Sequence, residues 1–459
     1  TPLTPLTPLG PGRKHPMHGD FSRVTYDPAR RFSSVLSQQG RVQLDAEINE
    51  QTAILLHYVR TLAADLLGPA AYPPDKDEDS LGGFGVDGFD GDTFSVAPGR
   101  MYVDGILCEC DGTDYWDQPD GHLASDLEDD RLPSGPFLVY LRVWERLITA
   151  VEAPWIREVA LGPGGPDTTA RTRVVWQVCR LPLEPGSLRP DMRSAPRLLL
   201  DRIRGDFEPR GRLAARTRRP DEELAAAGLH PSSGYRGPEN QLYRVEVHQG
   251  GTVGMATFKW SRENGSVVLP VREIDGATVE LETLGRDDKL GVDIGDVVEI
   301  VDDAAVCRSA SDRPDARCGR LYTVREVDYA GYGVVLDAEP TGAGRRPSLH
   351  PFLRRWDSEC GEGGTALPVR EGAWLPLEDG IEIRFSSSNG PHVYRRGDYW
   401  LIPARVLTGD VEWPRSREGE PLRRRPHGVH YRYAPLAYVD PRGDGFELVD
   451  LRVPLRHRR

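Results

Sequence analysis

Three kinds of residue in this sequence have types and spacing that could do chemistry: acidic runs, histidines and cysteines. The most suggestive acidic run is PPDKDEDSLGGFGVDGFDGD, because closely spaced carboxylates can hold Ca²⁺. A calcium loop of the EF-hand type needs glycine at its sixth position and a bidentate glutamate at its twelfth. Counting from Asp75 puts Ser80 and Val86 at those positions. We therefore interpret this run as a solvated loop.

The histidines and cysteines show no metal-binding spacing. His427 and His430 lie three residues apart in a segment rich in proline and glycine, and His350 lies at the start of a loop. The cysteines lack the paired CxxC spacing of a zinc site. We expect free, reduced thiols, although Cys307 and Cys318 flank a loop and could pair.

Catalytic signatures are absent from the sequence. It contains no GxGxxG before a helix, no P-loop, no HExxH and no GxSxG. Carboxylate pairs such as those of DLEDD occur, but an acidic protein supplies such pairs by chance. The sequence therefore predicts a protein that is not an enzyme and that uses no cofactor or metal.

Tryptophans in the C-terminal half are candidates for recognition. Exposed aromatic rings bind glycans and protein partners, whereas buried ones anchor small β domains. The sequence leaves both interpretations open for four residues, namely Trp260, Trp356, Trp400 and Trp413.

The composition indicates many short strands. The 49 glycines and 39 prolines punctuate the whole chain of 459 residues, which is typical of strands joined by turns. The net charge of −13 argues against a nucleic-acid surface. No apolar run approaches the length of about 18 residues that a membrane span needs, and no secretion signal is visible. We therefore expect no membrane span and assembly in the cytoplasm.

A proline-rich arm opens the chain. TPLTPLTPLGP repeats Thr-Pro-Leu, which favours polyproline II with three residues per turn and places Leu3, Leu6 and Leu9 on one side. We predict that residues 1–18 form an arm that lays this leucine row on a partner, the alternative being a disordered tail.

Residues 19–70 predict a helical hairpin that attaches the protein. Apolar residues between positions 44 and 67 recur at steps of three, four and seven, which predicts an amphipathic helix ending before Gly68. DPARRFSSVLSQQG predicts a shorter helix before it. The positions Leu44, Ile48, Leu55 and Leu62 approach a heptad seam, which either packs on the chain's own β domain or forms a bundle between subunits.

The pattern of the remaining chain predicts short strands with glycine turns, which are typical of small barrels or sandwiches. The predicted fold class is mainly β and multidomain, with the N-terminal helical hairpin followed by small β-sandwich or barrel domains. After the hairpin we predict a first β domain, a connector, a small β-barrel domain and a C-terminal β region, at 71–184, 185–235, 236–345 and 346–459.

Several phrases of the sequence together resemble one family. GDFSRVTYDPARRFSSVLSQQGRVQLDAEINEQ, FSVAPGRMYVDGILCE, ENQLYRVEVHQGG, ATFKWSRENGSVV and GDYWLIPARVLTGDVEWP look like an uncharacterised bacterial family encoded with phage-tail-like contractile injection particles. The resemblance covers roughly residues 19–440. The order of QQGRVQLDAEINEQ and APGRMYVDG is also loosely similar to the start of phage baseplate wedge and fibre-attachment proteins.

This resemblance implies a structural or accessory component of such a particle, docked through its arm and helices. The expected partners are other particle subunits, of the baseplate, tube, cap or fibre, and further copies of the chain. The particle would assemble in the cytoplasm and be released by lysis. The alternatives are a cargo or effector carried by the particle, and a glycan-binding module.

Overall fold

The protein is mainly β. The computed structural model describes residues 17–21, 24–75, 80–121, 132–162, 166–184, 191, 194–199, 211–218, 234–285, 287, 289–307, 319–387, 394–442 and 445–455. Leu3, Leu6 and Leu9 of the predicted arm lie outside these residues. No helix in the described ranges is both long enough and apolar enough to cross a membrane.

The strands of the described residues are numbered in chain order from the N-terminus. The first eight are β1 (Ala70–Ala71), β2 (Val86–Asp87), β3 (Ser95–Val96), β4 (Gly99–Val103), β5 (Ile106–Cys110), β6 (Thr113–Asp114), β7 (Phe137–Ile148) and β8 (Arg171–Pro182). The next eight are β9 (Gly211–Thr217), β10 (Gln241–Val247), β11 (Thr257–Ser261), β12 (Val268–Asp275), β13 (Thr278–Leu281), β14 (Val297–Val301), β15 (Tyr322–Asp328) and β16 (Gly333–Leu336). The last eight are β17 (Phe352–Trp356), β18 (Leu367–Pro368), β19 (Leu375–Pro376), β20 (Ile381–Ser387), β21 (Tyr399–Arg405), β22 (Asp410–Val411), β23 (Arg432–Arg442) and β24 (Gly445–Asp450).

The α-helices of the described residues include α1 (Asp45–Leu67) and α2 (Asp303–Cys307), and residues 195–199 are also helical. Short 3-10 turns occur at Pro28–Arg30, Pro154–Ile156, Val159–Leu161, Pro347–Leu349 and Glu362–Gly364. Helix α1 is the long helix that the apolar spacing predicts. The Glu47 side chain accepts from the Leu44 backbone N–H at its start, and Gly68 ends it.

The N-terminal helical hairpin does not form. In place of the shorter helix, one 3-10 turn ends at Arg31, whose φ is 58°, and residues 31–44 form neither helix nor strand. A short helix depends on packing of an apolar face. Phe32 and Leu36, which would supply that face, are 56% and 83% exposed.

An outer domain joins the two ends of the described chain. Its main sheet has the antiparallel order β24-β23-β7-β8, and two small sheets, β1-β4-β5 and β2-β3-β6, pack with it. The core includes Phe84, Phe94, Met101 and Phe137 from the first part of the chain and Leu436 from the last. The last two strands, β23 and β24, therefore belong to the same domain as the predicted first β domain.

A middle domain is inserted, along the chain, between the two parts of the outer domain. Its sheets have the orders β18-β11-β10-β21-β22 and β19-β20-β9, and they enclose one aromatic-rich core. Strand β9 lies in the predicted connector 185–235, yet it pairs with β20 over its whole length. Residues 211–217 therefore belong to a sheet and not to a linker.

An inner barrel lies within the middle domain. Strands β12-β13-β16-β15-β14-β17 close it, so it spans residues 268–356. A small barrel is thus present, but the predicted boundaries 236–345 include two strands of the middle domain and omit β17. The predicted division at 345/346 separates β17 from its partners β12 and β14. The prediction assumed contiguous domains, whereas each inner domain in fact interrupts a sheet of the one around it.

Candidate functional site

The predicted seam on α1 faces away from the body of the protein. Its members Leu44, Ile48, Leu55 and Leu62 are between 46% and 55% exposed. Leu44 precedes the first helical turn, and the other three lie on the same side of the helix as Tyr58, Val59 and Leu66, which are also exposed. We call these seven residues the apolar row of α1. The structure thus keeps the row together.

The four tryptophans lie in packed interiors. Trp260, Trp400 and Trp413 belong to the core of the middle domain. The indole N–H of Trp400 donates to the carbonyl of Arg424 at 3.0 Å, and that of Trp413 to the carbonyl of Leu422 at 2.8 Å. Trp356 is 1% exposed. None of these rings is available to a glycan at the surface.

A charged face that sequence analysis missed lies on β10 and β11. Arg244 and Glu246 of β10 and His248, which follows it, alternate with Tyr243, Val245 and Val247, which point into the middle-domain core. Lys259 lies on the same side as the charged set, since it pairs in register with Glu246. The period-two alternation of charged and apolar residues in LYRVEVH was the available signal.

The inner barrel presents a second charged face to the first. Glu299 of β14 and Arg354 of β17 lie directly opposite each other in the barrel sheet. The Lys259 ammonium reaches across from the middle domain to Glu299 Oε2 at 2.5 Å and to Glu246 Oε1 at 3.6 Å. The indole N–H of Trp356 donates to the same Glu299 oxygen at 3.0 Å.

The N-terminal segment is anchored at this junction. The side-chain amide of Asn264 donates to the carbonyls of Met17 and Gly19, at 2.8 and 2.9 Å. His18 Nε2 lies 2.9 Å from Glu246 Oε2. Gly265, whose φ is 62°, makes room, because a Cβ there would lie 2.7 Å from the His18 ring. Residues 17 and 18, which we assigned to the arm, therefore pack on the body.

The outer domain completes the junction through further ion pairs. Arg146 of β7 contacts Glu152 at 2.6 Å and Asp303 of α2 at 3.1 Å. Arg60 of α1 makes a bidentate pair with Glu145, at 2.7 and 2.9 Å. The junction of all three domains is thus held by charged side chains, where most domain cores use apolar ones.

These faces line one cleft of about 1160 Å³ between the domains. Among the described residues that line it, ten side chains are basic and six are acidic. The basic ones are Arg60, Arg146, Arg171, Arg244, Lys259, Arg320, Arg354, Arg395, Arg396 and Arg432. The acidic ones are Glu50, Glu145, Glu152, Glu246, Glu299 and Asp398. The cleft wall therefore carries an excess of four positive charges in a protein whose net charge is −13.

Burial and charge together fix the protonation states in the cleft. Burial alone would raise the pKa of Glu299, but Lys259 lowers it to about 2. Burial likewise opposes ionisation of Glu246, and Arg244 nevertheless holds its pKa well below the usual value. Burial lowers the pKa of His18 to about 3 and that of His248 to about 4. Near neutral pH both carboxylates are ionised and both imidazoles are neutral.

Chemically, the cleft is suited to holding charge. The described residues contain no group of three or more histidine, cysteine or carboxylate side chains that could hold a metal ion. The buried thiol of Cys307 is free, and burial raises its pKa to about 12, so it is not a ready nucleophile. Cys318, its predicted partner, lies outside the described residues.

The fold and the cleft define a mainly β protein of nested domains with a charged interdomain junction. The chain belongs to a family of unknown function, DUF6519, whose sequence model matches residues 17–189 and 207–448. The comparison with curated proteins gave no match, and neither did the comparison with solved structures.

Proposed function

We propose that this protein is a structural or accessory subunit of a larger protein assembly, in which copies of the chain associate through helix α1. The observation that carries the proposal is the apolar row of α1, whose seven side chains are 46% to 74% exposed. Contiguous apolar surface of this kind marks interaction sites in proteins.

The opposite side of α1 is already used within the chain. Ala46, Ala53 and Ile54 are buried, and Arg60 is tied to Glu145 of the outer domain. Small residues on this side let the helix lie close to the body. The apolar row is therefore held outward on a fixed support, which lowers the entropy cost of binding.

The occupant that best fits the apolar row is the same row of another copy. Ile48, Leu55 and Leu62 are seven residues apart, and Leu44 and Tyr58 fall at the interleaved heptad positions. Heptad seams are self-complementary, because identical knobs fit identical holes around a symmetry axis. Phe32, Leu36 and Val42, which precede α1 in the chain, are also exposed apolar side chains.

The resemblance noted from the sequence supports a contractile injection particle as the assembly. Such a particle would assemble in the cytoplasm and leave the cell by lysis, and other particle subunits would be further partners. The leucine row of Leu3, Leu6 and Leu9 would provide a second attachment. The Met17 carbonyl, near the end of the predicted arm, accepts from Asn264 at the junction of the domains.

The test is the double substitution Leu55→Ser and Leu62→Ser. Both side chains are exposed in the single chain, so we expect no loss of thermal stability in the monomer. We expect sedimentation to show a shift from oligomer to monomer. We also expect the variant to be missing from particles purified from cells that make the whole set of subunits.

The matched control replaces two exposed apolar side chains elsewhere, Met255→Ser and Leu407→Ser, which are 65% and 98% exposed in the native chain. This control should associate like the wild type. Wild-type self-association and particle incorporation of the α1 variant would overturn the proposal.

A further inference from the structure

Arg354 has no hydrogen bond or ion pair with any described residue, although it lies among charged groups. Its Nε is buried without a partner. The guanidinium carbon lies 5.0 Å from the Phe352 ring centroid, which offers no hydrogen bond of ordinary strength. A buried donor without an acceptor is costly, because its desolvation is not compensated by a hydrogen bond.

The nearby carboxylates are already used by other donors. Glu299 is the strand neighbour of Arg354, but its Oε2 accepts from Lys259 and from Trp356. Glu246 Oε2 accepts from Arg244 at 2.7 Å and also contacts His18. Neither carboxylate forms an ion pair with Arg354 itself.

The ion pairs at this point of the cleft leave Arg354 out. Arg244 and Lys259 pair with Glu246 and Glu299, and Glu152, whose charge also acts on Arg354, pairs with Arg146. The neutral histidines add no charge. Burial accordingly lowers the pKa of Arg354 from its usual value. The guanidinium of Arg354 therefore lacks an oxyanion partner of its own among the described residues.

A second unpaired cation lines the same cleft. Arg396 has no hydrogen bond or ion pair with the described residues, and its charge acts on His248. Val301 and Phe352 give the cleft an apolar strip beside Arg354. A cleft of about 1160 Å³ accommodates a small organic molecule.

We propose that the interdomain cleft binds a small organic anion, whose carboxylate or phosphate group pairs with the guanidinium of Arg354. The planar guanidinium donates two parallel hydrogen bonds to such an oxyanion. Arg396 adds attraction, and the apolar strip contacts the rest of the molecule. This site is independent of self-association through α1.

The experiment titrates the full chain with sodium phosphate and, separately, with sodium succinate. Sodium chloride holds the ionic strength constant, and thermal unfolding and calorimetry are the readouts. We expect at least one anion to raise Tm saturably, by about 3 °C or more near saturation. The anion that does so distinguishes a phosphate site from a carboxylate site. If neither anion changes Tm beyond chloride, the proposal is overturned.

The variants are Arg354→Met and, as a matched control, Arg171→Met. Arg171 lines the cleft but is exposed and bonded to Thr169. We expect Arg354→Met to weaken anion binding at least tenfold and Arg171→Met to leave it unchanged. Anion affinity of Arg354→Met within twofold of wild type would contradict the assignment.

A second readout comes from chloride buffer alone. Because Arg354→Met removes an unpaired charge, its Tm should equal or exceed that of the wild type. A Tm several degrees lower would mean that Arg354 already has the partner it needs, and the proposal would fail. Arg396→Met should weaken anion binding as well, by a smaller factor.

Discussion

Lys259 connects two domains by contacting a carboxylate of each. It lies 2.5 Å from Glu299 of the inner barrel and 3.6 Å from Glu246 of its own domain. Its ammonium also lies 4.2 Å from the Trp356 ring centroid. Buried ion pairs add little net stability, because desolvation offsets the attraction, but removing one partner costs about 3–5 kcal/mol. The cluster therefore specifies how the domains fit together more than it stabilises them.

Two histidines of the cleft, half-buried His18 and buried His248, make stability depend on pH. His18 and His248 have folded-state pKa values of about 3 and about 4, mainly because of burial. In the unfolded chain both would titrate near pH 6.5. As the pH falls below about 6.5, the unfolded state takes up two protons that the folded state does not. Stability is therefore full above this pH and declines below it.

We predict that each histidine contributes about 1.4 kcal/mol per pH unit to this decline between about pH 6 and pH 5. Urea unfolding of the wild type, His18→Gln and His248→Gln at both ends of this range measures the slope. Each substitution should reduce the slope by that amount. Other titrating groups cancel in the difference. Wild-type slopes in both variants would contradict the burial of these imidazoles as neutral groups.

Helix α1 contacts the outer domain closely at a glycine. Asp104 and Gly105 form the turn between β4 and β5, with φ of 50° and 75°. A Cβ on Gly105 would lie 2.1 Å from the backbone carbonyl oxygen of Arg60. The absence of a side chain at this position lets the helix backbone rest on the hairpin.

We predict that Gly105→Ala separates the helix from this turn. The strain at positive φ costs about 1–3 kcal/mol, and the clash with the helix adds to it. Gly276→Ala is the matched control, since Gly276 has a φ of 57° in the turn between β12 and β13 and nothing within 4 Å. Hydrogen exchange should accelerate across α1 in Gly105→Ala alone. Equal exchange in the two variants would show that the contact does not hold the helix.

The sequence predicted local elements better than their partners. The prediction of α1 rests on its apolar spacing, a rule of chain geometry that needs only neighbouring residues. The shorter helix at 28–40 was wrong, because apolar spacing cannot show whether a surface exists to pack on. Asn264-Gly265 has the positive φ values of a hairpin turn, yet it links strands of two different domains.

The charged cleft could be predicted only in part. The alternation of Arg244, Glu246 and His248 reveals a polar strand face, and a polar face normally lies in water. Its burial follows from Glu299 and Arg354, which lie more than 50 residues away along the chain. No local sequence pattern shows that this face is buried, since its burial depends on how the barrel packs on the middle domain.

The three domains are nested along the chain. The inner barrel at 268–356 interrupts the middle domain, and the middle domain interrupts the outer one. Val268 at the start of the barrel is in register with Arg354 near its end. Paired residues on antiparallel strands are about 5 Å apart. The barrel thus leaves and rejoins its host at nearly one point, as an inserted domain does.

We predict that residues 264–358 fold alone as a barrel, because all six barrel strands and their core lie within this range. Trp356 is the one tryptophan in the fragment, so its fluorescence reports on the fold. Thermal unfolding followed at this residue should be cooperative. The complementary chain, with a short linker in place of the barrel, should keep a folded middle domain. A fragment without a cooperative transition would mean that the cleft contacts are needed for folding.

Nesting also sets an order of completion during synthesis on the ribosome. Strand β7 emerges early, but its partner β23 begins about 280 residues later. At a synthesis rate of about 5–20 residues per second, the edge of β7 that pairs with β23 stays unpaired for on the order of tens of seconds. An unpaired strand edge of this length attracts other chains. The barrel closes first, the middle domain follows, and the outer domain, begun first, is finished last.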